Sequence, residues 1–334
     1  MSNLAMMMGL GASPAPLKIT DAFSTTLYTG TGAALTIANN IDVSTEGGLV
    51  WLKNRTGSDS HALFDTETGV RNLLRSNTTD AATLLSSTQG VTAFNSNGFT
   101  IGSTDVLGLN NTSKNVVSWV WRKAPKFFDI VKYTGTGAAR TISHALNSEV
   151  GMILIKKTSG GGTDWQVFHR TSGSTPQSTV LYLNETAAAA TNNSRFNNTL
   201  PTSSEFSLSG DGAVNGSGGT YIAYLFAHNE DLIQCGSYVG NGSSTGTVVD
   251  LGFEPQWLLI KKSTGGAQDW ALYDNKRGLV SNGDDARLSP NTSGDELNGY
   301  QSLSPTSTGF QLNSSHDWVN TNNETYVYMA IKKA

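Results

Sequence analysis

The sequence predicts an all-β chain: three tandem antiparallel β-sandwich domains, jelly-roll or immunoglobulin-like, behind a short N-terminal arm. Three observations predict it. Tyr28-Thr29-Gly30-Thr31-Gly32 returns as Tyr133-Thr134-Gly135-Thr136-Gly137 and as Tyr238-Val239-Gly240-Asn241-Gly242, a tandem repeat with a period of 105 residues. Short runs of β-branched, aromatic and aliphatic residues alternate with clusters of Gly, Asn, Ser and Thr, the rhythm of strands and turns. The last strand of each repeat alternates apolar residues with period two: Val117, Trp119 and Trp121, then Ile222, Tyr224 and Phe226, then Val327, Met329 and Ile331. That alternation is expected of a strand with one buried side.

In the first repeat, strands are expected at Thr25–Thr29, Ala34–Ile37, Leu49–Asn54, Ala62–Asp65, Asn72–Arg75, Phe99–Ile101 and Asn115–Trp121. Turns separate them at Thr29-Gly30-Thr31-Gly32, Glu46-Gly47-Gly48 and Asn95-Ser96-Asn97-Gly98, where glycine supplies positive φ at low cost. Ala81–Leu85 and Thr186–Ala190 read as loops with room for one helical turn. The landmarks keep their order in every repeat. Trp51-Leu52-Lys53 matches Leu154-Ile155-Lys156 and Leu259-Ile260-Lys261. Phe64-Asp65 matches Phe168-His169 and Tyr273-Asp274, and a Leu-x-x-Asn step ends at Asn77, Asn184 and Asn291.

A repeat of about 100 residues can hold its own core, so each is expected to be a separate domain. The boundaries then fall at residues 1–24 for the arm and 25–124, 125–229 and 230–334 for the repeats, with Pro125 ending the first ladder. The leader, with Leu4-Ala5-Met6-Met7-Met8, lacks a basic segment before Lys18 and is not read as a signal peptide. It reads either as an arm packing on a neighbouring chain or as a frayed terminus.

Charged residues make up 14% of the 334-residue chain, below the roughly 25% of an average soluble domain, and the net charge is −4. No Lys/Arg cluster exceeds two adjacent residues, which argues against a nucleic-acid partner. No apolar stretch has the length of a spanning helix, so membrane insertion is not expected. The single Cys235 has no intrachain partner and reads as a small buried side chain.

No catalytic constellation repeats with the units. His61, His144, His169, His228 and His316 sit in no zinc-binding spacing, and no metal or cofactor is expected. Gly242-Ser243-Ser244-Thr245-Gly246 satisfies the Gly-x-Ser-x-Gly pattern of a hydrolase elbow, but its equivalents contain Gly137-Ala138-Ala139 and Gly32-Ala33-Ala34, and its context is a turn between strands. Asp284 and Asp285 follow Asn282-Gly283 in a polar loop and read as a solvated turn. The ligand candidates are Asp164-Trp165 and Asp269-Trp270, replaced by Ser60-His61 in the first repeat. An indole flanked by polar groups suits sugar stacking, while the same Trp could open a buried strand.

The segments Tyr182-Leu183-Asn184-Glu185-Thr186-Ala187-Ala188, Pro201-Thr202-Ser203-Ser204-Glu205-Phe206 and Asn215-Gly216-Ser217-Gly218-Gly219-Thr220-Tyr221-Ile222 resemble a repeat domain of virion proteins of marine and cyanobacterial tailed phages. The Tyr-x-Gly-x-Gly opening, the strand ending in Lys156-Lys157 and the Met-rich leader fit the same resemblance. It implies a virion location, a non-enzymatic fibre-like structural role, and other virion proteins or further copies of the chain as partners. It carries no functional residues. The expected function is therefore a tail fibre, appendage or adaptor, with a module binding host surface polysaccharide and a capsid decoration protein as the alternatives.

Overall fold

The computed structural model describes residues 16–281 and 283–334, and the chain there is all-β, built from several antiparallel sheets. The first repeat contains β1 (Phe23–Thr29), β2 (Leu35–Ala38), β3 (Gly48–Asn54), β4 (Ala62–Asp65), β5 (Asn72–Arg75), β6 (Thr83–Leu84), β7 (Val91–Asn95), β8 (Gly98–Ile101) and β9 (Asn115–Arg122). The second contains β10 (Phe128–Thr134), β11 (Arg140–Ser143), β12 (Val150–Lys157), β13 (Gln166–His169), β14 (Thr179–Tyr182), β15 (Ala190–Thr191), β16 (Glu205–Leu208) and β17 (Thr220–Ala227). The third contains β18 (Ile233–Val239), β19 (Val248–Asp250), β20 (Pro255–Lys262), β21 (Ala271–Asp274), β22 (Leu303–Thr306), β23 (Gly309–Leu312) and β24 (Thr325–Lys332).

Each repeat makes one large sheet and one small one. The large sheets run β1-β9-β3-β4-β5-β6, β10-β17-β12-β13-β14-β15 and β18-β24-β20-β21, and the small ones run β2-β8-β7, β11-β16 and β19-β23-β22. First and last strands pair in the same register in every repeat: Thr29 with Asn115, Thr134 with Thr220, Val239 with Thr325. The strands expected in the first repeat are present to within two residues at each end. Those missed are short or irregular: β6 has two exposed residues, and β7 shifts register between Val91 and Ala93. Ala81–Leu85 and Thr186–Ala190 lead into the two-residue edge strands β6 and β15 and form no helical turn. The Met-rich part of the leader lies outside the described residues. The end of the arm is ordered as a 3₁₀ turn, Ile19–Asp21, with Ile19 buried, and β1 begins at Phe23, two residues inside the expected arm.

The three recurring openings have one structural cause. A Cβ on Gly30, Gly135 or Gly240 would lie 2.2, 2.2 and 2.3 Å from the carbonyl oxygens of Asn111, Gly216 and Thr321, so only glycine fits where this turn meets the loop before the closing strand. The second glycines, Gly32, Gly137 and Gly242, hold φ of +72°, +73° and +65°. The tyrosines Tyr28, Tyr133 and Tyr238 donate their hydroxyls to the carbonyls of Leu109, Val214 and Val319. Asn110, Asn215 and Asn320 beside those carbonyls accept from the backbone N–H of Thr31, Thr136 and Asn241.

Two expectations are corrected. The closing strands are buried on both faces, not one: all six residues from Val116 to Trp121 are buried. Val116 and Val120 pack with β2 and β8 residues such as Ile37 and Phe99, whereas Val117, Trp119 and Trp121 face the other repeats. The first and third repeats each keep a core of their own between large and small sheet, with Ile37, Val50 and Phe99 in one and Val249, Leu258 and Phe310 in the other, but the repeats are not separate on their other faces. A single hydrophobic cluster takes Leu49, Trp51 and Trp121 from the first repeat, Phe128, Leu154 and Phe226 from the second, and Trp257, Leu259 and Ile331 from the third. Trp121 sits at its centre, with ring centroids 5.0 Å from Phe23, 6.0 Å from Phe226 and 5.5 Å from Trp257. The physical reason is the second apolar face of each large sheet, which a lone repeat would leave exposed to water.

Candidate functional site

The Asp-Trp steps are structural bolts between repeats. Trp165 and Trp270 are 0% and 1% exposed, so neither ring offers a face to a sugar, and the stacking expectation is withdrawn on that ground. Trp165 Nε1 donates to the Arg75 carbonyl and Trp270 Nε1 to the Tyr182 carbonyl, both at 2.9 Å and both in the preceding repeat. Asp164 and Asp269 hold the steps in place through the Leu-x-x-Asn residues. Asn184 Oδ1 accepts from the Trp165 N–H while its Nδ2 donates to Asp164, and Asn291 does the same for Trp270 and Asp269. The first repeat has lost this clasp, and Asn77 Oδ1 is buried without a partner. The recurrence of Asp-Trp together with Leu-x-x-Asn is the sequence signal that could have revealed it.

Further contacts close the repeats into a ring. Buried Lys156 donates to the carbonyls of Thr79 and Thr163, and buried Lys261 to those of Thr186 and Gln268, so each lysine ties its own repeat to the one before. Burial lowers both ammonium groups, and Lys53 at the same position, to about 8. At the ends of β4, β13 and β21, Asp65 accepts from the Tyr224 hydroxyl, His169 Nε2 meets the Tyr328 carbonyl, and Asp274 accepts from Trp119 Nε1. These bonds join first to second, second to third, and third to first.

The junction between third and first repeats has no linker, and it carries a buried ion-pair network. Arg55 pairs with Glu296 at 2.6 Å, and Arg277 pairs with both Asp274 at 2.6 Å and Glu296 at 3.1 Å, with Asp274 and Arg277 side chains fully buried. The two arginines beside Glu296 hold its carboxyl below the usual range, against the opposing effect of burial. His61 stands where the other repeats have the bolting Trp. Its Nδ1 accepts from Trp51 Nε1, and the Ser289 carbonyl faces the ring without a bond of hydrogen-bond length.

Other sequence candidates fall as follows. Gly242–Gly246 forms the turn between β18 and β19 with no helix after it, so the strand-turn-helix of a hydrolase elbow is absent there. Cys235 is fully buried, and burial pushes its thiol up. Among the described residues no three His, Cys, Asp or Glu side chains gather in a way that could hold a metal ion.

Asp285 is not a solvated turn residue: it is 1% exposed. Its Oδ2 accepts from the N–H groups of Ser302 and Leu303, its Oδ1 has no partner, and burial pushes the carboxyl up to about 7. It opens onto an aromatic cluster that sequence reading missed. His316 stacks on Trp318 at 4.2 Å, Arg287 Cζ lies 4.3 Å from the Trp318 ring, and Tyr300 meets His316 and Trp318 edge-on at 5.4 and 5.3 Å. Ser302 Oγ bonds both Trp318 Nε1 and His316 Nδ1 at 3.3 Å. Counting from the equivalent Asn110, Asn215 and Asn320, the position of Trp318 is Gly108 in the first repeat and Ala213 in the second. The repeat fold therefore does not require this indole.

Residues 18–334 match the model of a family described as a domain of unknown function (DUF7483), and the chain belongs to that family. The match spans all three repeats as one unit. No curated protein matches the chain.

Proposed function

We propose that this chain is a non-enzymatic structural component of a tailed-phage particle, a tail fibre, tail appendage or adaptor. In this reading each repeat, 25–124, 125–229 and 230–334, is a jelly-roll or Ig-like sandwich formed by its large and small sheets, and the repeats act as one rigid block. The observation that carries it is the investment of buried polar groups in holding repeats together: Trp119, Trp165, Trp270, Lys156, Lys261 and Tyr224 all bond across a junction. A block so cross-bonded, with few surface charges, suits a building part, and the resemblance to phage virion repeats supplies the compartment. Mass spectrometry of purified particles should find the chain in stoichiometric amounts, and a particle reconstruction should place it on the tail. Its absence from particles would overturn the proposal, and density on the capsid lattice would replace it with capsid decoration.

A second reading, a module for host surface polysaccharide, is favoured by the half-buried cluster of Tyr300, His316 and Trp318, which only the third repeat has. The two readings are compatible, because an appendage that touches the host needs a recognition surface.

A further inference from the structure

The six other tryptophans are exposed by 1% or less, whereas Trp318 is half-buried at the surface of the third repeat. Behind it lies Arg287, 7% exposed, in no ion pair among the described residues. Its Nε and Nη1, one from each edge of the guanidinium fork, are buried without hydrogen-bond partners. A guanidinium keeps its charge at any ordinary pH, so burying it beside a π-face alone leaves strong donors unused. Asp285, two residues away, has both backbone bonds on Oδ2, and its Oδ1 has no partner and makes no bond to the guanidinium. No single carboxylate spans Nε and Nη1, but a carboxylate on one edge with a hydroxyl or ring oxygen on the other, as an acidic sugar offers, would fill both.

We propose that Arg287, Trp318, His316 and Tyr300 form a binding site for an acidic saccharide, in which Arg287 takes the sugar carboxylate and the Tyr300 ring packs on the C–H face of the sugar. The inference rests on the polysaccharide-binding reading above and names its residues and ligand class. Arg287 and His316 already lie against Trp318, which leaves Tyr300 as the ring free to stack. Tyr300 lies between Gly299 and Gln301, both exposed, and Gly299 holds φ of +82°. The unused donors are buried in this structure, so binding requires this exposed segment to move.

The test is titration of the full chain with trigalacturonate, galactotriose, sodium sulfate and sodium phosphate at matched ionic strength, followed by tryptophan fluorescence and by calorimetry. Trigalacturonate should bind saturably and shift the emission of the solvent-reachable Trp318, while the neutral trisaccharide and the inorganic anions should not. Arg287→Gln should abolish binding, and Arg287→Lys, which keeps the charge but loses the fork, should weaken it by roughly tenfold or more. The Lys variant carries the test if the Gln variant fails to fold. Sulfate or phosphate binding as tightly as trigalacturonate would overturn the saccharide assignment. Undiminished trigalacturonate binding by the folded Arg287 variants would remove this site while leaving polysaccharide binding elsewhere intact. No binding of either trisaccharide would overturn both.

Discussion

Trp165 shows how one side chain can serve a junction. Its ring fills the shared core and its single N–H satisfies a carbonyl of the preceding repeat. Trp165→Phe keeps most of the apolar burial but leaves the Arg75 carbonyl without its donor, and should lower unfolding stability by about 1–3 kcal/mol in denaturant melts. His169 gives a pH signature at the next junction. Its Nε2 bonds the Tyr328 carbonyl at 3.0 Å, its Nδ1 accepts from Thr171, and burial lowers the imidazole to about 4. The unfolded chain, at about 6.5, then binds more protons than the folded one between these values, so the contribution is complete above pH 6.5 and is lost as pH falls from 6.5 to 4. As pH falls across that window the wild type should lose more melting temperature than His169→Gln, whatever the raised Asp285 carboxyl contributes to both. An equal fall in the variant would exclude His169 as the titrating group.

At the scale of the element, the Tyr-x-Gly-x-Gly turn is a clamp between the first strand of a repeat and the loop before its last. Its glycines are fixed by close backbone approach at Gly135 and by φ of +73° at Gly137. Gly135→Ala should cost about 1–3 kcal/mol, because its Cβ would lie 2.2 Å from the Gly216 carbonyl oxygen and the β10–β17 ends would have to part. Gly212→Ala is the control, since a Cβ there has nothing within 4 Å. Comparable losses in both variants would show that close approach is not the reason for the glycine.

For the whole molecule, the shared core makes unfolding one event. Trp121→Ala should destabilise the chain by about 3–5 kcal/mol and move a single calorimetric transition, because the ring touches side chains of all three repeats. A separate, unshifted transition for the third repeat would restore independent domains. The junction of first and third repeats gives a second check. Glu296→Gln leaves Arg55 and the fully buried Arg277 without a shared carboxylate and should cost about 3–5 kcal/mol, read as a lower denaturant midpoint. A midpoint within error of wild type would mean that ring closure does not depend on this network.

The sequence by itself determined the repeat, its period and most strands, because backbone periodicity and turn chemistry are local. Tyr28, Gly30 and Gly32 mark each unit wherever it packs, and the strands around them can be read without knowing their neighbours. The run Val116–Trp121, apolar except for Ser118, already carried a further sign, since a strand buried on one face only would show polar residues at alternate positions. Where the second face goes could not be read, because it depends on repeats 105 residues away coming into contact. The same holds for the sites. Asp-Trp looked like a surface ligand motif because its partner, the Arg75 or Tyr182 carbonyl, is backbone and leaves no mark in the sequence. Arg287, Tyr300, His316 and Trp318 are scattered over some thirty positions and belong to no motif. Only the tertiary structure brought them together, since their proximity is set by how β21, β22 and the loops of the third repeat fold back on one another.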